Sequence, residues 1–340
     1  MLPYIYMKEE QKQIIYSAIQ PTGPLHLGNY FGALRNFVTL QNQAECFFAI
    51  ADLHSLTENF DPKEKQNQIM SLAMDYLAMG LDPKQCTIFV QSHVPEVSEL
   101  AWIFNCITPL AFLERMTQFK DKALRQKKNV NVGLLDYPVL QAADILMFRA
   151  NAVPVGVDQV QHVELARDVA GFFNNKFGAT FQEPKPLLTE APKIMSLIDP
   201  LKKMSKSMGE KSYVALTDEP EVVREKLAKA MTEPTGVINE KKAETDAGMR
   251  GAYNLLEFLK LFGNNREYAR FKKMKTIKYK ELKEKVADEI IEHFAEYRKA
   301  RKALEADPAQ VKKILADGAK RAEKIAKATM TEVRKKVGIR

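Results

Sequence analysis

Short, almost continuously apolar runs alternate with amphipathic runs along the first two hundred residues. QIIYSAIQ (13–20), AECFFAIADLH (44–54), CTIFVQSHV (86–94) and AVPVGVDQ (152–159) are apolar without alternation. That is the pattern of strands covered on both faces. Between them, NYFGALRNFVTLQ (29–41), PKEKQNQIMSLAMDYLAMG (62–80) and SELAWIFNCITPLAFLERMTQF (98–119) repeat apolar residues at three and four, which predicts helices. Strand, helix and strand at this spacing imply a parallel sheet with right-handed crossovers. The expected fold is a doubly wound, Rossmann-like α/β domain over residues 1–210, with ligands bound beyond the C-terminal ends of its strands.

Past about Ala215 the strand signal fades. TDEPEVVREKLAKAM offers Thr217 as a helix cap with Pro220 in the first turn, and DPAQVKKILADG offers Asp307 as cap with Pro308 at the first helical position. Val311, Ile314, Leu315, Ala322, Ile325 and Val333 trace one face of the latter helix. An α-helical second domain over 211–340 is therefore expected. Thr232 to Met249 reads as its mobile loop.

Charge sharpens this division. The chain of 340 residues has a net charge of +8. Residues 241–340 hold 27 lysines and arginines against 15 aspartates and glutamates, a net of +12, so residues 1–240 carry −4. A basic C-terminal third suits either a solvated helical surface or a polyanion such as nucleic acid. No stretch of 18 apolar residues is present to span a membrane, and the opening MLPYIYMKEEQKQ lacks a secretory pattern. Cys46, Cys86 and Cys106 are odd in number, lie in apolar sequence and lack metal-ligand spacing, so a reduced, cytoplasmic setting is expected.

Chemistry enters where the first strand ends, in SAIQPTGPLHLGNYFGALRNF (17–37). Gly23 can take a positive φ, and Pro21 and Pro24 fix the chain on either side, so strand can turn sharply into helix. A helix start there would offer phosphate its free N–H groups and positive dipole end, with His26 in the first turn and Gly28 leaving room for a nucleotide. An ordinary turn with an exposed histidine would read the same in isolation.

About 175 residues later stands KKMSKS (202–207). The pairing of His26, Leu27, Gly28, Asn29 with a Lys-Met-Ser-Lys-Ser loop resembles the class I aminoacyl-tRNA synthetases and their two ATP-binding motifs. LERMTQFKDK, YPVLQAADIL, VPVGVDQVQHVELARD and IMSLIDPLKKMSKS, in that order, are most similar to the tryptophan-specific bacterial members. The resemblance covers most of residues 14–340 and is densest in the first 210.

What the resemblance implies is an enzyme that activates tryptophan with ATP, giving tryptophanyl-adenylate and pyrophosphate, and then passes the acyl group to tRNA. The attacking group is already a carboxylate, so no dedicated general base is needed; the site positions reactants and neutralises charge growing on pyrophosphate. Lys203 and Lys206 would reach the β- and γ-phosphates, and Lys122 would be a further phosphate contact. Mg²⁺ would arrive on the ATP phosphates, with no resident metal. Gln20, Thr22, His26, Gly28, Asn29, Gly156, Asp158, Gln159, Met204 and Ser205 would contact ATP, Asp158 through ribose hydroxyls. Tryptophan would be held by Tyr16, Gln20, His54, Tyr137, Gln141, Asp144, Val153, Val155 and Gln159. Tyr137, before Pro138, would begin a helix on which it shares a face with Gln141 and Asp144. Asp144 sits among Ala142, Ala143, Ile145, Leu146 and Met147, where a carboxylate needs a donor. A Lys or Arg partner would serve; the resemblance assigns an indole N–H instead. The resemblance also implies a homodimer with tRNA(Trp) lying across both subunits.

Gln141 replaces the methionine of most bacterial relatives, Val157 replaces a glutamate, and Ala18 a glycine. Three scattered cysteines cannot ligate the iron–sulfur cluster that some relatives carry. Two rivals stay open on sequence: a tyrosine-specific synthetase, and a nucleotide-binding RNA-interaction protein without catalysis.

Overall fold

The computed structural model describes residues 13–116, 130–188 and 192–339. Five parallel strands form one sheet in the order β3-β2-β1-β4-β5: β1 (Ile14–Ile19), β2 (Glu45–Ile50), β3 (Thr87–Val90), β4 (Ala152–Val155) and β5 (Lys185–Leu188). The four strands expected from the apolar runs are present, each shorter than its run because the polar tail turns away at the C-terminal end. β5 was not legible: Lys185 and Pro186 break its apolar pattern, and a proline is tolerated there because the strand lies at the sheet edge. Since β2 and β4 flank β1, the strand order reverses at β1, which opens a crevice beyond the ends of β1 and β4.

Three helices differ from their sequence reading. The described part of the run 98–119 holds two helices, Glu96–Asn105 and Leu110–Glu114, because Pro109 holds an extended conformation between them. The Val132–Met147 helix begins at Asn131, whose side chain accepts the Leu134 N–H, so Tyr137 lies within it and Pro138 is internal. The helix at Pro220–Ala228 is preceded by Glu219 at the cap position rather than Thr217. Asp307 and Pro308 do open a helix, Pro308–Val337, with Asp307 accepting the Gln310 N–H.

The chain folds as two compact units whose boundaries differ from a single division at 210. The first comprises Met1–Gly23, Arg35–Glu190 and Asp307–Arg340; the second comprises Pro24–Leu34 and Ala191–Ala306. The Pro308–Val337 helix thus belongs with the sheet. It packs on β3 so closely that a Cβ on Gly318 would lie 1.8 Å from the Ile88 carbonyl oxygen. Ala322, Ala326, Met330 and Val333 are fully buried in the sheet unit's core, and Thr329 donates to the Met147 carbonyl at 3.0 Å. Helical periodicity shows that such a face is covered, not by what, so sequence order alone misassigned it.

In the second unit, helices Ala247–Leu261, Asn265–Lys273, Tyr279–His293 and Ala295–Ala306 follow Pro220–Ala228. The segment 232–249, expected as a mobile loop, is tied down at Glu233. That buried carboxylate accepts from the Thr235 N–H and hydroxyl, the Gly236 N–H and the Tyr279 hydroxyl. Cys46 and Cys86 are buried, and burial pushes their thiols up to about 11 and about 12; Cys106 is exposed, contrary to its apolar sequence surroundings.

Candidate active site

In the sheet unit, Tyr16, His54 and Asp144 come together. β1 supplies Tyr16, β4 supplies Val153 and Val155, the turn after β2 supplies His54, and the Val132–Met147 helix supplies Tyr137, Gln141 and Asp144. Asp144 is 1% exposed. Its Oδ2 accepts from His54 Nε2 at 2.7 Å, and Gln91 Nε2 donates to Oδ1 and Oδ2 at 2.8 and 2.9 Å. A buried carboxylate among apolar side chains is tolerable only with such donors. They are neither the lysine nor the arginine that sequence left open.

The aromatic residues pack around that group. Tyr16 is buried with its ring parallel to Phe148, centroids 5.7 Å apart. Burial, and then the negative charge of Asp144, hold its phenol well above the usual range. The Tyr137 hydroxyl lies 2.9 Å from His162 Nε2, and burial pushes the phenol up to about 12. The His54 ring meets Tyr137 edge-on at 6.3 Å. Gln141 is half-buried on the same helix.

Gln20 follows β1, and the Thr22 N–H folds back onto its carbonyl at 3.0 Å. Gly156 follows β4, and the Gln159 N–H closes a single turn onto the Gly156 carbonyl at 2.9 Å. Gln20, Thr22, Gly156 and Gln159 therefore stand at the C-terminal ends of neighbouring strands, where α/β sheets bind ligands. The Asp158 side chain and Lys122 lie outside the described residues.

In the second unit, His26 caps the helical turn Leu27–Asn29. Its Nδ1 accepts the Gly28 N–H at 3.1 Å, and Asn29 Oδ1 accepts the His26 N–H at 3.1 Å. Leu27 N–H bonds the Val214 carbonyl, while Asn29 and Tyr30 bond the His26 carbonyl. Every amide of this first turn is therefore already used, which corrects the expectation that free N–H groups there await phosphate. A Cβ on Gly28 would lie 2.9 Å from His26 Cε1, so its bareness makes room for the imidazole. Gly23 does take the positive φ, 112°.

Burial, then the charges of Lys206 and Lys203, lower the His26 pKa to about 4. The ring is neutral near pH 7, and because Nδ1 accepts, the proton sits on Nε2. His26, Lys203 and Lys206 thus gather one neutral donor and two cations. The lysine loop is fixed at its start by antiparallel pairing: Ser196 N–H bonds the Lys202 carbonyl at 2.9 Å and Met204 N–H bonds the Ile194 carbonyl at 2.8 Å. Met204 is buried, Lys203 exposed and Lys206 half-buried. Ser205 accepts the Ser207 N–H, and Ser212 donates to the Ser205 carbonyl at 2.8 Å. Anions of phosphate type fit this group by charge and donor type.

The family described as tRNA synthetases class I (W and Y) matches residues 7–295. The chain belongs to it. A tryptophan–tRNA ligase from Caldanaerobacter subterraneus is 43% identical over 330 residues, covering 96% of this chain and 98% of that one. The one from Clostridium tetani is 40% identical over 332 residues, covering 97% of each. The structure of tryptophanyl-tRNA synthetase from Campylobacter jejuni, complexed with ADP and tryptophan, superposes with a TM-score of 0.82 at 33% identity over 96% of this chain and 100% of that one.

Gln91 and His162 escaped the sequence reading. Each had a signal: Gln91 follows an unbroken apolar strand at the end where ligands bind, and His162 lies in the first turn after the β4 crevice.

Proposed function

We infer that the chain is a tryptophan–tRNA ligase: it converts tryptophan and ATP to tryptophanyl-adenylate and pyrophosphate, then passes the tryptophanyl group to tRNA. Family membership supplies the class of reaction. The observation that carries the choice of amino acid is the buried Asp144 carboxylate, oriented by His54 and Gln91 with Tyr16 beside it. An indole needs an acceptor for its N–H in apolar surroundings, and this carboxylate offers one.

In the first step the tryptophan carboxylate attacks the α-phosphorus of ATP, and pyrophosphate leaves with the bonding electron pair. Gln20 and Gln159 hold the polar end of the amino acid, and Gly156 and Asp158 receive the ribose. Lys203, Lys206 and Lys122 balance charge as it grows on the leaving group, with the Nε2–H of neutral His26 as a further donor. Mg²⁺ comes on the phosphates; among the described residues no group of three His, Cys, Asp or Glu is arranged for a metal ion. In the second step a hydroxyl of the terminal adenosine of tRNA attacks the acyl carbon, and AMP leaves.

Partners follow from charge and exposed surface. The basic helices of the second unit suit tRNA, including its anticodon end. Trp102, Leu110 and Val132, exposed at 69%, 57% and 80% on the sheet unit, suit a homodimer. No described helix is long and apolar enough to cross a membrane, which is consistent with a cytoplasmic enzyme. Pyrophosphate exchange with tryptophan, tyrosine and phenylalanine, followed by charging of tRNA, tests the reading. Exchange that depends on tryptophan alone supports it; equal exchange with tyrosine, or none at all, refutes it.

A further inference from the structure

Gln91 stands immediately after β3 and is fully buried, with no measurable exposure. Its Nε2 donates to both Asp144 oxygens, and its Oε1 accepts the Leu53 N–H at 3.2 Å. Because a backbone N–H can only donate, the amide has one orientation: oxygen toward Leu53, nitrogen toward Asp144. Leu53 precedes His54, the other donor to that carboxylate. Asp52 Oδ1 closes the set by accepting the Leu53 and Ser92 N–H groups, each at 3.0 Å. A single amide therefore ties the carboxylate to the turn that carries its second donor.

We propose that Gln91 is a positioning residue for amino-acid selection, holding the Asp144 carboxylate turned toward the substrate's ring N–H. This rests on reading Asp144 as the indole acceptor. His54 and Gln91 both donate to that buried carboxylate, and with one of them gone it loses its fixed orientation. The effect falls on tryptophan binding, not on the step at phosphorus, since Gln91 has no part among the reacting atoms.

The test uses the full chain in pyrophosphate exchange with tryptophan and with phenylalanine. Gln91→Met keeps the length and removes the donor; Gln91→Glu keeps the shape and puts an acceptor where the donor stood. In both variants the tryptophan KM rises roughly ten-fold or more, kcat stays within about three-fold, and phenylalanine is unaffected.

Losses that are equal for the two amino acids, or that fall on kcat rather than on KM, overturn the proposal and leave Gln91 as packing. Gln91→Glu, nearly the same shape as the parent residue, decides the matter even if Gln91→Met fails to fold. Asp144→Ala, assayed alongside, separates the two levels. If it too leaves the tryptophan to phenylalanine ratio unchanged, the indole-acceptor reading itself has failed, and Gln91 with it.

Discussion

His26 folds Nδ1 onto the N–H of Gly28 at 3.1 Å, and so fixes which ring nitrogen carries its proton. The lowered pKa, about 4, has a consequence for stability. Between about pH 6.5 and 4 the unfolded chain binds a proton at this ring that the folded chain refuses, so stability rises with pH across that window and is lost on acidification. The loss is on the order of 3 kcal/mol when complete. NMR titration should place one imidazole near pH 4, and that signal should vanish in His26→Gln. A ring titrating near 6.5 at this position would contradict the burial and the two neighbouring lysines.

Two glycines in helices of the sheet unit should respond to alanine with opposite sign. Gly318→Ala drives a methyl group to 1.8 Å from the Ile88 carbonyl, so β3 and the Pro308–Val337 helix must separate, at a cost of about 1–3 kcal/mol or more. Gly171, in the Val160–Phe177 helix, has nothing within 4 Å of an added Cβ, and Gly171→Ala should gain about 0.5–1 kcal/mol from helix propensity. Equilibrium urea unfolding of both variants measures the difference.

These glycines mark how far sequence could carry the fold. The central strands were legible because burial on both faces leaves an unbroken apolar signature, as in IFV at Ile88 to Val90. Pro109 was visible yet overridden by helical periodicity on both sides. The return of the last helix to the sheet depends on a close approach at Gly318 that has no local pattern. At the site, resemblance located Asp144 and His54, but the bond between Gln91 and Asp144 joins residues 53 positions apart. Such a pairing is set by how β3 and the Val132–Met147 helix meet, and neither segment encodes it alone.

Lys206→Ala should lower the rate of adenylate formation far more than it weakens tryptophan binding, because charge on pyrophosphate develops only in the transition state. Single-turnover kinetics paired with equilibrium tryptophan binding tests this. Equal losses in both would mean the lysine loop only supports the fold.

Lys273 and Lys275, both exposed near the end of the Asn265–Lys273 helix, should contribute to tRNA affinity. Lys272 already pairs with Glu240 at 2.8 Å and is expected to contribute less. Replacing Lys273 and Lys275 by Ala should weaken tRNA binding and flatten its dependence on salt, by about one unit of slope for each lysine that neutralises a phosphate, with pyrophosphate exchange intact. Unchanged affinity and slope would assign that surface to solvent.

The central claim is that Asp144 accepts the indole N–H. Asp144→Ala removes a hydrogen bond to a charged group, worth about 1.5–3 kcal/mol, or roughly ten- to hundred-fold in kcat/KM for tryptophan. Phenylalanine has no N–H to offer and should lose nothing, and it gains where its binding no longer strands a buried carboxylate. The most direct measurement is therefore kcat/KM in pyrophosphate exchange for both amino acids, in parent and Asp144→Ala enzymes of matched folding. The ratio of tryptophan to phenylalanine should collapse by at least about ten-fold; a variant that keeps the parent's preference would show that Asp144 is a structural residue and that indole is read elsewhere.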